Sequence, residues 1–252
     1  MLTTIALILT GLAAGALNAI AGGGTFLSFP ALVWAGVPPI MANATATLSA
    51  LPGYAGSAWA YRHDIGTGNG TSALARMVLI ASLGGLIGAG LLLVTPGELF
   101  SGIVPWFLLL ATLAFAFGPA YLRHQMRSGR HLSETAGHAV VFAVSIYGGY
   151  FNGGLGIMLL AAFGVIGMTD LHQMNGLKNL MSVILSLVSV ATYTLAGLID
   201  WSTAVILAPS CAAGGVLGAA LARRVRNTAL LRLFIIAVGI IMTLVFFVQS
   251  RS

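Results

Sequence analysis

The sequence predicts an all-α polytopic membrane protein. Its expected plan is two inverted repeats, each a broken re-entrant helix hairpin plus three transmembrane helices. Three observations carry this: a scarcity of charge, a series of apolar blocks of which two are interrupted by glycine, and a correspondence between the halves at one fixed displacement.

Hydrophobic residues make up 58% of the 252 and charged residues 6%, and mean hydropathy is +1.00. A water-soluble domain carries about 25% charge, so this chain lacks the polar residues to cover a globule. A soluble enzyme, a nucleic-acid-binding module and a disordered protein are excluded together. The net charge of +6 does not point to nucleic acid, because eight of the ten arginines fall in three places between apolar blocks. These are Arg62 with Arg76, then Arg123, Arg127 and Arg130, then Arg223, Arg224 and Arg226. Loops held on the cytoplasmic side by positive charge have this pattern. A stretch Ala14-Gly15-Ala16 mimics a signal cleavage site, but no basic residue precedes Arg62, so the segment is read as retained.

Apolar blocks fall at 2–36, 40–61, 73–95, 101–122, 136–168, 172–197, 201–222 and 228–249. A spanning helix needs about 20 residues, and six blocks have roughly that length. The first and fifth are too long for one span and too short for two. Each holds a glycine cluster near its centre, Gly22-Gly23-Gly24 in one and Gly153-Gly154 with Gly156 in the other. Glycine is a poor helix former and takes backbone angles that other residues avoid, so each long block is expected to break there. With all eight blocks crossing, Arg223, Arg224 and Arg226 would lie opposite the other arginines. With both broken blocks re-entrant, all three basic loops share one side, which satisfies the positive-inside rule. This predicts six full spans, two hairpins and both termini outside.

A displacement of 132 residues aligns Gly22 with Gly154, Gly24 with Gly156 and Asn43 with Asn175. Residues 1–122 are then the N-terminal repeat, 123–135 a basic cytoplasmic linker and 136–252 the C-terminal repeat of one membrane domain. A hairpin plus three crossings ends opposite to where it began, so the second half is inverted. Inverted repeats with broken helices are the usual build of secondary transporters.

Lipid cannot satisfy the backbone groups at a helix break, and a half-helix N-terminus carries about half a positive charge, which suits an anion. Half-helices are expected to begin near Thr25 and Ile157. Asn18 and Asn152 precede the glycine clusters; Asn43, Thr45 and Thr47 open the second block; Asn175, Lys178 and Asn179 occupy the matching places in the sixth. Lys178 is the one lysine in the chain and stands about two turns inside an apolar block. An ammonium at that depth faces a cavity or a partner, and a bound anion is its natural counter-charge. The candidate substrate-binding set is therefore Asn18, Gly22, Gly23, Gly24, Thr25, Asn43, Thr47, Asn152, Gly154, Gly156, Asn175, Lys178 and Asn179. No catalytic group, metal site or cofactor is expected. The lone Cys211 is read as a packing residue, and Trp34, Trp59, Trp106 and Trp201 as an interfacial belt. An embedded enzyme would need a base or metal ligands at one depth, yet only His138 and His172 fall within blocks, both near a block's start. Uptake of another anion or a metal, and a channel, remain as alternatives. The expected partners are a small anion and the bilayer, with no nucleic acid and with a homodimer left open.

The run Gly15-Ala16-Leu17-Asn18-Ala19-Ile20-Ala21-Gly22-Gly23-Gly24-Thr25, then Phe29-Pro30-Ala31-Leu32 and Asn43-Ala44-Thr45-Ala46-Thr47, resembles the opening of the sulfite exporter TauE/SafE family. Gly148-Gly149-Tyr150-Phe151-Asn152-Gly153-Gly154-Leu155-Gly156 and Asn175-Gly176-Leu177-Lys178-Asn179 look like its second copy, although Leu155 interrupts the glycines and Ala162 replaces Pro30. The resemblance implies a bacterial inner-membrane permease that exports sulfite, sulfoacetate or related sulfonate anions.

Overall fold

The computed structural model describes residues 1–20, 22–63, 65, 71–128, 132–222 and 228–249, with the side chains of 20, 71, 126, 128, 219–222, 228–232 and 249 excepted. The described residues form α1 (Leu2–Ile20), α2 (Thr25–Trp34), α3 (Pro39–Ala60), α4 (Thr71–Val94), α5 (Gly97–Ser128), α6 (Glu134–Tyr150), α7 (Leu155–Val165), α8 (Leu171–Leu195), α9 (Trp201–Ala222) and α10 (Thr228–Gln249). The fold is all-helical, as expected. Asp64, Arg130, His131, Arg223, Arg224 and Arg226 lie outside the described residues, so the charge argument is checked only at Arg62, Arg76, Arg123 and Arg127.

The six unbroken blocks appear as α3, α4, α5, α8, α9 and α10, most within two residues of the expected bounds. Helix α5 is the exception. It starts four residues early and continues to Ser128, so the segment expected to be a linker from 123 is helical over its first six residues. Local chemistry marks several starts. Pro39 occupies the first turn of α3, where a missing N–H costs nothing. The Ser133 hydroxyl accepts the Ala136 N–H at α6, and Asp170 accepts the His172 and Gln173 N–H groups at α8.

Both long blocks are broken at their glycine clusters, as expected, into helices of unequal length. The first divides into 19 and 10 residues and the fifth into 17 and 11. At 1.5 Å per residue the longer arms reach about 25–28 Å and the shorter about 15–17 Å. Among the described residues, α1, α4, α5, α8 and α9 contain segments long and apolar enough to cross a membrane. The inclusion of α1 departs from the expectation that both arms of the first block are partial.

Helix directions follow from specific contacts. Asp200 N–H donates to Thr45 Oγ1 at 3.0 Å near the starts of α9 and α3, and Gly215 meets Gly53 further along, so these two run parallel. Gly11 and Gly15 rest on Cys211, and Gly214 and Gly218 on Leu12 and Ala16, which sets α1 parallel to α9. Gly84 and Gly88 lie on Phe142 to Tyr150, so α4 runs parallel to α6. In the α1–α9 and α4–α6 seams a Cβ on glycine would overlap backbone of the facing helix; small residues allow this approach in membranes. Gly176 rests on Tyr61 and Ile65, which makes α8 antiparallel to α3. Helix α7 doubles back along α6, since Leu132 N–H donates to the Val165 carbonyl at the ends away from the break.

Exchanging α1–α5 with α6–α10 maps the main pairings onto one another. The α1–α9 seam becomes α6–α4, α3–α9 becomes α8–α4, and α2–α10 becomes α7–α5, while α3–α8 and α5–α10 map onto themselves. An aromatic cluster links the halves: Phe29 of α2 meets Phe246 of α10 and Phe151 of the second break at centroid distances of 5.4 and 5.7 Å, and Phe151 stacks on Phe107 of α5 at 5.5 Å. Trp34, Trp59, Trp106 and Trp201 are all exposed, as a belt requires. Cys211 is buried in the α1–α9 seam, in keeping with a packing role.

Candidate functional site

The two breaks must satisfy backbone groups that an intact helix would pair internally. At the first, Gly22 adopts φ +78° and returns its N–H to the Leu17 and Asn18 carbonyls, closing α1. The Asn18 side-chain oxygen accepts the Gly24 N–H at 2.7 Å, closing the amino end of α2. At the second, α6 ends at Tyr150 and Gly154 adopts φ +75° ahead of α7. Left-handed geometry at both points is why glycine stands there.

The carbonyls freed at the end of α6 and in the loop after it are met by side chains, from α3, from α8 and from α6 itself. Gly149 O accepts from the Tyr193 hydroxyl and from Ser189 Oγ, Tyr150 O from Asn43 Nδ2 at 2.9 Å, and Gly153 O from the Tyr147 hydroxyl at 2.6 Å. On the amide side, Ile157 and Met158 N–H bond the Gly154 carbonyl, whereas Gly156 N–H has no acceptor among the described residues.

Gly22 and Gly156 face each other across the halves with Lys178 against both. A Cβ on Gly156 would lie 3.3 Å from Lys178 Cδ and 3.6 Å from Gly22 Cα; one on Gly22 would lie 3.7 Å from Gly156 Cα and 3.9 Å from Lys178 Nζ. Lys178 is 5% exposed, and its ammonium donates to Asn175 Oδ1 at 3.3 Å. No carboxylate pairs with it among the described residues, whose one ion pair joins Arg76 to Glu134. The junction thus offers a buried cation, an amide without an acceptor among the described residues and two glycines in close approach.

Other candidates are placed differently from the expectation. Gly23 packs on Phe115 and Ile235, Gly24 on Ala14 and Asn18, and Gly154 on Ala111, so these three serve close packing. Asn175 donates its own amide to the Leu171 carbonyl and acts on Lys178 only as acceptor. Thr47 donates to the Asn43 carbonyl within α3. Asn43 holds Tyr150 O, and its Oδ1 is buried with no hydrogen bond. Asn152 accepts from the Tyr54 hydroxyl and donates to Ser186 Oγ, both at 3.4 Å. Thr25 is buried at the start of α2, and Asn179 is buried one residue beyond Lys178.

Tyr54, Ser186, Ser189 and Tyr193 are polar partners of the breaks that sequence reasoning passed over, and Ser182 is buried between them without a hydrogen bond. The signal was present. On α8, Asn175, Asn179, Ser182, Ser186, Ser189 and Tyr193 follow steps of four and three, the spacing of one helix face. Displaced by 132, that series reads Asn43, Thr47, Ala50, Tyr54 and Ser57 on α3 and Tyr61 just after its end. The two helices pack on one another.

The sequence profile of the family described as "Sulfite exporter TauE/SafE" matches residues 7–246. The chain belongs to the sulfite exporter TauE/SafE family. Among curated proteins, this TauE/SafE chain is 31% identical over 162 residues to a "Probable membrane transporter protein ORF9" of a Sinorhizobium species, covering 62% of the chain and 61% of that relative. It is 27% identical over 241 residues to a "Probable membrane transporter protein" of Haemophilus influenzae, covering 94% of the chain and 91% of that relative. No solved structure matches. As a TauE/SafE member with several membrane-length helices, the protein is a multi-pass membrane transporter.

Proposed function

We propose that the protein is a secondary transporter that exports a small sulfonate- or sulfite-like anion, such as sulfite or sulfoacetate, across the bacterial inner membrane. The observation that carries this reading is the meeting of Gly22, Gly156 and Lys178. A buried cation without a paired carboxylate needs an anion, and the free Gly156 amide gives an oxyanion a directed hydrogen bond.

In this reading the halves 1–122 and 136–252 are inverted repeats, an arrangement supported by the exchangeable pairings and by the doubling back of α7. Each broken block is a re-entrant hairpin, and the anion lies between their turns. Lys178 supplies charge, Gly156 N–H and the Asn18 and Asn179 amides supply donors, and Asn175 holds the ammonium in place. One half rocks against the other to open the site to each side in turn. The inside-negative potential favours anion exit by about 2.3 kcal/mol per charge per 100 mV. The family description supports sulfite as the substrate type and export as the direction.

The test is flux of labelled sulfite and sulfoacetate in proteoliposomes, with Lys178→Ala beside the wild type. Saturable, counterflow-capable flux that the substitution abolishes is the expected result. Linear, non-saturating flux would indicate a pore, and unchanged flux in Lys178→Ala would remove the lysine from the site.

A further inference from the structure

We infer that Ser182 is a substrate contact: its hydroxyl donates to an oxygen of the transported anion, one helical turn along α8 from Lys178. This rests on the reading of the Gly22–Gly156–Lys178 junction as an anion site. It adds to that site a neutral donor that selects for oxygen acceptors, where Lys178 supplies charge.

Ser182 departs from the usual way in which a buried hydroxyl is satisfied on these helices. Ser49, Thr112, Ser145 and Thr243 each donate to the carbonyl four residues back, at 2.6–2.8 Å. The same bond, to the Lys178 carbonyl, is open to any serine at position 182. Yet Ser182 Oγ has no partner among the described residues, and the residue is 0% exposed. A buried hydroxyl left unpaired costs free energy, and an acceptor that arrives with the ligand accounts for its being turned away from its own helix.

Its neighbours fix the direction it faces. Four residues of α-helix turn through about 400°, so Ser182 stands about 40° round α8 from Lys178 on one side and from Ser186 on the other, and about 6 Å along the axis from each. Lys178 lies against Gly156, and Ser186 accepts from Asn152. The second break therefore passes Ser182 as it runs from one contact to the other. In that stretch Gly154 adopts φ +75°, and the N–H groups of Gly153, Gly154 and Gly156 have no acceptor among the described residues. Backbone amides gathered in such a turn form a concavity for an anion, and Ser182 adds a hydroxyl on the side that faces α8. The two other buried polar side-chain atoms without a partner among the described residues lie elsewhere. Asn43 Oδ1 can only accept, and its amide is fixed on the Tyr150 carbonyl; Gln173 stands nine residues before Ser182, on the opposite side of α8.

The anion is then recognised twice, by charge at Lys178 and by its oxygens at Ser182 and the amides of the break. Sulfite and sulfoacetate both carry the oxygens that such donors require.

The experiment measures sulfite and sulfoacetate binding by thermal shift of the purified full-length protein, and their counterflow in proteoliposomes, for wild type, Ser182→Ala, Ser145→Ala and Lys178→Ala. Loss of a hydrogen bond to a charged ligand weakens binding by roughly tenfold to hundredfold, and Ser182→Ala should show this for both anions. Without ligand it should melt no lower than wild type, because no hydrogen bond within the protein is lost. Ser145→Ala, equally buried but bonded within α6, should leave both affinities unchanged. Wild-type affinity in Ser182→Ala beside lost binding in Lys178→Ala would overturn the assignment of Ser182 and leave the anion site standing. A Ser182→Ala protein that melts lower without ligand but binds as wild type does would show a structural serine and overturn it too. No binding by wild type, or binding kept in both Lys178→Ala and Ser182→Ala, would overturn the anion site itself and this inference with it.

Discussion

Asn18 reaches six residues forward to accept the Gly24 N–H at 2.7 Å, so the first arm of a broken helix caps the second. Asn18 is 4% exposed, and the amide it caps has no other acceptor among the described residues. Asn18→Ala should destabilise the protein by about 1–3 kcal/mol, the cost of a buried amide left unpaired. Asn18→Asp keeps an acceptor and should retain most of the stability. It also places a carboxylate beside the break, so anion transport should fall. Thermal melting in detergent and flux of the two variants separate the effects; equal stability of Asn18→Ala and wild type would refute the cap.

Tyr54 ties the breaks together. Its hydroxyl donates to Asn152 Oδ1 at 3.4 Å and meets the Thr25 side chain, so α3 bridges the start of α2 and the second break. The 3.4 Å distance marks a weak bond, and Tyr54→Phe should cost about 1 kcal/mol. In a double-mutant cycle with Asn152→Ala the coupling should be about 0.5–1 kcal/mol, and zero coupling would show the contact to be incidental.

These two residues show where sequence reasoning ends. The blocks were legible because lipid demands long apolar helices, and the breaks because glycine clusters oppose helix formation. Partner assignment was not legible. Asn43 was expected to face a ligand, yet its amide holds the Tyr150 carbonyl 107 residues away, because the end of α6 needs a donor and α3 passes there. Asn175 was expected to donate to an anion, but its amide bonds within its own helix. The serines of α8 keep a regular spacing, yet a serine can bond its own helix backbone, as Ser145 and Ser49 do here, so spacing alone did not tell which were turned outward.

Arg76 and Glu134 meet at 2.5 Å with side chains 54% and 74% exposed. Solvent and salt screen such a pair. Arg76→Ala should therefore change the melting free energy by less than about 1 kcal/mol. A larger loss that persists in high salt would mean that the pair anchors the α4–α6 seam, a task assigned here to Gly84, Gly88 and Gly149.

Asp200 lies outside the spanning segments, at the start of α9. Burial raises its pKa, but the hydrogen bonds from Ser202 and Thr203 together outweigh this and take it below the usual aspartate value. A carboxylate depressed in the folded state contributes stability above its unfolded value, and that contribution is lost as pH falls through the folded value. Wild-type protein should therefore lose more stability between pH 7 and pH 3 than Asp200→Asn does. Parallel acid limbs for the two proteins would show that these hydrogen bonds do not favour the ionised form.

The three glycines with the closest bearing on the breaks should separate fold from function. At Gly154 the backbone is left-handed and a Cβ would lie 2.7 Å from Ala111 Cβ, so Gly154→Ala adds strain to overpacking, about 2–5 kcal/mol together. Gly22 is equally left-handed, but the nearest atom to its Cβ is 3.7 Å away, so Gly22→Ala should cost only the strain, about 1–2 kcal/mol. Gly156 has ordinary helical geometry, and its Cβ would crowd only the flexible Lys178 stem at 3.3 Å and Gly22 at 3.6 Å. Gly156→Ala should leave melting within about 1 kcal/mol of wild type while reducing anion flux, since the new methyl fills the space between the free amide and the ammonium. Normal flux in Gly156→Ala, with melting unchanged, would move the anion's path away from the meeting point of the two breaks.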